Sequence, residues 1–239
     1  KGGVGKSSTV INLAGHLSDE GLSVRVIDLD NQASCSQFWL GSEKVESLRP
    51  DATIEAAFRS GKLIDHDTEF ERVKVVPSHL GMVIEKGATL PRLAADVDVC
   101  LVDTPPDLLS PAVRAALLAS DFVVSPLDPE AFGSQSIVSV QRALHDVGVM
   151  HNSNLRFLGF LLNRKERLSI HSAIEDVLRR LHGQLVFDTV IPSLAAFKEA
   201  AATRKPITHY QNKGKAADCI RALSDEVFAR MEQFRKVAA

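Results

Sequence analysis

The residues with the clearest chemistry come first in the chain. Lys1-Gly2-Gly3-Val4-Gly5-Lys6-Ser7-Ser8-Thr9 sets three glycines, two lysines and successive hydroxyls at the spacing of a loop that wraps a polyphosphate. Glycines 2, 3 and 5 permit backbone angles and a close approach that a Cβ would forbid, so consecutive N–H groups can converge on phosphate oxygens. Lys6 supplies a point charge for the β- and γ-phosphates, and the Ser7 hydroxyl is placed to ligate Mg²⁺. A helix opening at this point adds the positive end of its dipole to the same anion site.

The elements that must position these groups can be read in order. Val10, Leu13, Ala14 and Leu17 recur at helical spacing and Gly21 closes the run as a C-terminal cap would. A buried-strand pattern, Val24 to Leu29, then delivers Asp28 and Asp30. A second apolar strand, Val97 to Val102, delivers Asp103 to a sheet edge where open α/β sheets bind ligands. A chance Gly-Lys-Ser turn would not be followed by this arrangement. Ser110 reads as an N-cap with Pro111 in the first helical position. Further strands are expected over 121–126 and 157–162, and helices over 134–147 and 216–234. Thr53 to Arg59 reads as a short helix and Val73 to Pro77 as a strand. Phe38 and Trp39 read as core residues under a loop. The β-α alternation predicts an α/β fold, a mostly parallel sheet flanked by helices on both faces, in a single domain over 1–239.

With its extra first lysine, Lys1-Gly2-Gly3-Val4-Gly5-Lys6-Ser7 resembles the deviant Walker A signature of the ParA/MinD family of P-loop ATPases. Asp28-Leu29-Asp30-Asn31-Gln32 resembles that family's D-x-D-P-Q motif, with Asn31 in place of proline. Asp103-Thr104-Pro105-Pro106 resembles its Walker B and switch sequence, and Phe187-Asp188-Thr189-Val190-Ile191-Pro192 followed by Lys205-Pro206-Ile207 its carboxyl-terminal pattern. The resemblance implies a P-loop ATPase using ATP and Mg²⁺, with a β-strand expected ahead of the loop and absent from the sequence given. It implies a homodimer with ATP held between subunits, Lys1 reaching the partner's nucleotide and Lys6 its own. Asp30 would position the attacking water, and Ser7 and Asp103 would hold Mg²⁺. Gly2, Gly3, Val4, Gly5, Lys6, Ser7 and Ser8 would bind the nucleotide. Asn163, which in the family sits against the adenine ring, and Pro192 would join them. The implied use is partition or positioning of a plasmid, chromosome or other cargo, with a ParB-like or analogous adaptor stimulating slow hydrolysis.

Composition is that of a globular chain, 45% apolar and 24% charged. Net charge is −2 but uneven: residues 151–239 carry +6 and the rest −8. Such asymmetry suits a non-specific contact with DNA, for which Arg164, Arg204 and Lys213 are the candidates. Family members that segregate chromosomes carry arginines after Ile-Pro, where this chain has Ser193-Leu194-Ala195-Ala196-Phe197. Three scattered cysteines argue against a disulfide framework and against a metal-cluster carrier. No apolar run reaches the roughly 20 residues of a membrane span. The amphipathic run from Ala216 to Phe234 reads as a core helix, against its alternative as a MinD-like membrane-targeting helix, so no membrane is expected. The location expected is cytoplasmic and nucleoid-associated, in a bacterium or archaeon. A nucleotide-switch regulator with little turnover is the further alternative.

Overall fold

Helix α1 (Lys6–Asp19) begins at the second lysine of the glycine-rich loop and ends before Gly21, whose φ of 87° suits only glycine. The structure is a computed structural model that describes residues 3–131 and 134–238; the candidates Lys1 and Gly2 lie outside the described residues. The chain forms two compact units, one of residues 6–120 and one of residues 1–5 with 121–239.

In the first unit, β1 (Val24–Asp28) is buried along its whole length, as a central strand must be. Helices α2 (Ser34–Leu40), α3 (Ser42–Ser47) and α4 (Ile54–Ser60) follow it. The side chain of Thr53 caps α4 by accepting the Glu55 N–H, so the short helix read from the sequence is present. Strands β2 (His66–Asp67), β3 (Val73–Val76) and β4 (Val99–Asp103) complete a four-stranded sheet in the order β2-β3-β1-β4. β1 runs parallel to both β3 and β4, and only the short β2 is antiparallel. Arg25, a charge in a central strand, is accommodated because its guanidinium pairs with Asp65 at 2.7 and 2.6 Å and donates to the Leu93 carbonyl. Helix α5 (Pro111–Ala119) is capped by Ser110, which accepts the Val113 N–H. Ile27, Leu29, Ile54, Val76, Met82 and Ala116 form the core beside the sheet. Trp39 is buried in α2, edge-to-face with both Phe38 and Phe70.

In the second unit, β5 (Phe122–Leu127) pairs parallel with β6 (Arg156–Leu162), joined by α6 (Ser134–Met150). The register shifts between Val123 and Val124, opposite Leu158 and just before Gly159. Gly159 has φ 141°, and a Cβ there would stand 2.6 Å from the Leu185 carbonyl, so the close backbone approach requires glycine. Helices α7 (Ser169–His182), α8 (Ala195–Ala202), α9 (Ile207–Tyr210) and α10 (Lys215–Ala238) complete the unit. Its core gathers Leu127, Ile137, Phe160, Leu162, Leu178 and Val186.

Helix α10 buries Ile220 and Leu223 and is fastened by Arg230. That guanidinium donates to the carbonyls of Leu158, Gln184 and Val186, pairs with Glu226 at 2.7 Å and lies 4.2 Å from the Phe187 ring centre. Glu226 in turn accepts the N–H groups of Asp188 and Thr189. The core-helix reading of the last amphipathic run therefore matches the packing. Among the described residues, no helix is long and apolar enough to cross a membrane.

Candidate functional site

In the unit of residues 6–120, Lys6 and Ser7 form the first turn of α1, while Asp28 and Asp103 end β1 and β4 directly opposite each other. Parallel pairing brings both carboxylates to the same edge of the sheet, and the Leu29 N–H extends the ladder by donating to the Asp103 carbonyl at 2.9 Å. Asp103 is buried; its Oδ1 accepts the Thr104 N–H at 3.0 Å and, among the described residues, its Oδ2 has no hydrogen-bond partner. Burial raises the Asp103 carboxyl above the usual carboxylate range, and the Asp30 charge adds to the rise. The nearby Ser7 hydroxyl and Lys6 ammonium partly offset it. An orphaned buried carboxylate oxygen beside a hydroxyl is the donor chemistry that hard divalent cations take, so this set fits Mg²⁺.

Asp30 stands half-buried just past β1. Its N–H donates to Asp28 Oδ1 at 3.0 Å and its own carboxylate accepts the Gln32 N–H at 3.0 Å. Asp28, fully buried, uses its other oxygen to accept both the N–H and the hydroxyl of Ser36. Ser36 Oγ then accepts the Ser78 N–H at 2.9 Å, linking the segment to the end of β3. Burial, followed by the neighbouring Asp103 charge, raises the Asp28 carboxyl. Sequence reasoning gave Asp28 no role of its own. The available signal was a hydroxyl residue eight positions downstream, opening the next helix.

In the unit of residues 1–5 and 121–239, Gly3 and Gly5 both adopt φ 85°. Asn163, at the end of β6, donates from Nδ2 to the Val4 carbonyl at 3.1 Å and to the Gly5 carbonyl at 3.4 Å. Arg164, itself at φ 58°, donates from its guanidinium to the Gly3 carbonyl at 2.6 Å. The residue expected against an adenine ring and one expected against DNA thus both meet the backbone of the loop. Pro192 is half-buried and bridges to Lys165 through the backbone. Arg204 follows α8 in the left-handed region at φ 52°, and Lys213 is exposed before α10. Lys165 and Arg179, also cationic, are both committed to Glu175. Val4 is half-buried and Ser8 exposed.

This geometry agrees with the comparisons to known proteins. Residues 1–207 match the model of the CobQ/CobB/MinD/ParA nucleotide binding domain, and the chain belongs to that family. It is 31% identical over 241 residues to the chromosome-partitioning ATPase Soj of Thermus thermophilus, covering 98% of this chain and 94% of Soj. The chromosome partitioning protein ParA of Caulobacter vibrioides is 29% identical over 257 residues, covering 100% of this chain and 95% of ParA. The septum site-determining protein MinD of Pyrococcus horikoshii, solved with Mg-ADP, superposes with a TM-score of 0.67 at 26% identity, covering 95% of this chain and 92% of MinD. The fold is therefore that of the ParA/MinD ATPases, as the loop and the two acidic strand ends imply.

Proposed function

We propose that this protein binds Mg·ATP on the glycine-rich loop and hydrolyses it slowly as a dimer, in a cycle that partitions or positions a DNA molecule or other large cargo. The observation that carries the reading is the buried Asp103 oxygen at the end of β4, without a hydrogen-bond partner among the described residues, with the Ser7 hydroxyl and Lys6 ammonium acting on the same carboxylate. The whole 1–239 chain acts as one ATPase domain, which the span of the family match across both units supports.

The roles divide by chemistry. Loop N–H groups and Lys6 neutralise the phosphates, and Lys1 of the opposing subunit completes that charge. Ser7 and Asp103 hold Mg²⁺, which when bound offsets charge on the phosphate oxygens. Asp30, on a turn fixed by Asp28, orients the attacking water. Arg204 and Lys213 contact DNA phosphates without sequence preference. An adaptor of the ParB kind stimulates turnover, and the dimer works on the nucleoid in the cytoplasm.

The test is ATP turnover together with ATP-dependent binding to random-sequence DNA and to anionic liposomes. Asp30→Ala should lower turnover by about 10²-fold or more while ATP still binds. ATP-dependent DNA binding that weakens with salt supports the partition cycle. Liposome binding without DNA binding overturns it in favour of membrane positioning, and unchanged turnover in Asp30→Ala removes Asp30 from the chemistry.

A further inference from the structure

The glycine-rich loop is gripped from behind. Asn163 takes the carbonyls of Val4 and Gly5, and Arg164 takes the carbonyl of Gly3, so one dipeptide at the end of β6 occupies three successive loop carbonyls. In a planar trans peptide the C=O and N–H point in opposite directions. Fixing these three carbonyls on one side therefore turns the N–H groups of Val4, Gly5 and Lys6 to the other. Successive N–H groups facing one way are the donor arrangement that binds an anion.

We propose that Asn163 and Arg164 are positioning residues that pre-form the phosphate cradle, an inference that rests on the nucleotide-binding reading above. Three details of the geometry support it. Asn163 is buried, and its Oδ1 accepts the Arg164 N–H at 2.9 Å, so the amide can present only its NH₂ to the loop. Both ends of that amide are engaged within the protein. A Cβ on Gly5 would stand 2.4 Å from Asn163 Nδ2, so the loop and the asparagine fit together only with glycine at position 5. Arg164 adopts a left-handed backbone conformation that arginine rarely takes, and the surrounding structure holds it there while its guanidinium reaches Gly3. Asp128, 4.0 Å from the same guanidinium, offsets its charge.

The test separates holding the loop from reading the base. Affinities for ATP, GTP and inorganic tripolyphosphate, each with Mg²⁺, are measured by calorimetry for the wild type, Asn163→Ala and Arg164→Gly. Glycine tolerates the φ of position 164, so Arg164→Gly removes the side chain without adding backbone strain, and thermal unfolding confirms that each variant is folded. Each variant should bind all three ligands about tenfold more weakly, the loss of a charge-assisted or buried hydrogen bond, with the ATP-to-GTP ratio unchanged. A changed ratio with tripolyphosphate binding intact would make Asn163 a base contact and overturn the proposal. So would unchanged affinity for every ligand. A wild-type protein that binds none of the three overturns the nucleotide reading itself, an outcome in which the variants play no part.

Discussion

Asp28 and Ser36 are joined twice through one oxygen: the Ser36 N–H reaches Asp28 Oδ2 at 2.8 Å and the Ser36 hydroxyl reaches it at 2.7 Å. The other oxygen of the same carboxylate holds the Asp30 N–H. One buried side chain therefore fixes both ends of the turn that carries Asp30. In Asp28→Asn an NH₂ replaces one acceptor, leaving a donor facing a donor either at Asp30 or at Ser36. Displacing Asp30 should lower turnover by about tenfold to a hundredfold while ATP affinity stays close to wild type. Separate measurement of kcat and of ATP binding checks this, and a purely affinity-based defect contradicts it.

Asp103→Asn tests the cation set. The variant keeps the shape of the strand end and loses the charge that the orphaned oxygen offers. ATP binding measured with Mg²⁺ should weaken by about 10- to 100-fold, and binding measured in chelator should change little. Equal losses in both conditions would mean that the aspartate only supports the fold.

Glu226 gives the pH dependence. Burial acts to raise its pKa, but N–H donation from Thr189 and Asp188 and the Arg230 guanidinium outweigh it and hold the carboxyl below its ordinary value of 4.5. A depressed carboxylate contributes stability in full above its unfolded-state pKa and loses it as pH falls through the folded-state value. Urea unfolding of the wild type should show this loss on acidification below about pH 4.5. Glu226→Gln should be less stable near neutrality by about 1–3 kcal/mol and should lack that part of the acid dependence.

Arg204→Glu and Lys213→Glu bear on the DNA contact. Each should weaken ATP-dependent binding to random-sequence DNA at all sequences alike, and each should lower the salt slope by about one unit or more. Nitrocellulose retention across a salt series reads both quantities. An unchanged slope in both variants would place the contact elsewhere.

What could be read from the sequence depended on whether a residue's purpose was local. The strands ending at Asp28 and Asp103, the Ser110 cap and the helix after Thr53 all carry their signals within a few residues, and the structure has each of them. Helices α2 and α3 and helix α7 were not anticipated. The first two are only seven and six residues long, too short for a period to repeat, and α7 buries only His171 and Leu178. Within the site, residue types could be read but their partners could not. Asn163 lies 159 residues from the carbonyl it holds, and no spacing rule spans that distance. In the sequence Asp28 reads only as the end of a strand, because its neighbour Asp30 offers the simpler chemistry. The Ser36 that it holds is itself tied to Ser78, 42 residues farther on, which only folding brings alongside.

The grip of Arg230 sets an order of events during synthesis. Its three carbonyl partners, at positions 158, 184 and 186, are made 44 to 72 residues before it. A ribosome adding about 5–20 residues per second exposes those carbonyls seconds before the arginine is available to take them. In that interval the Gly159 approach to Leu185 has no clasp, and the apolar side of the nascent β6 faces whatever is nearby. Helix α10 thus clasps its unit late in synthesis, and a chain truncated just before Arg230 would lack that clasp while holding every residue of the loop chemistry that this sequence contains.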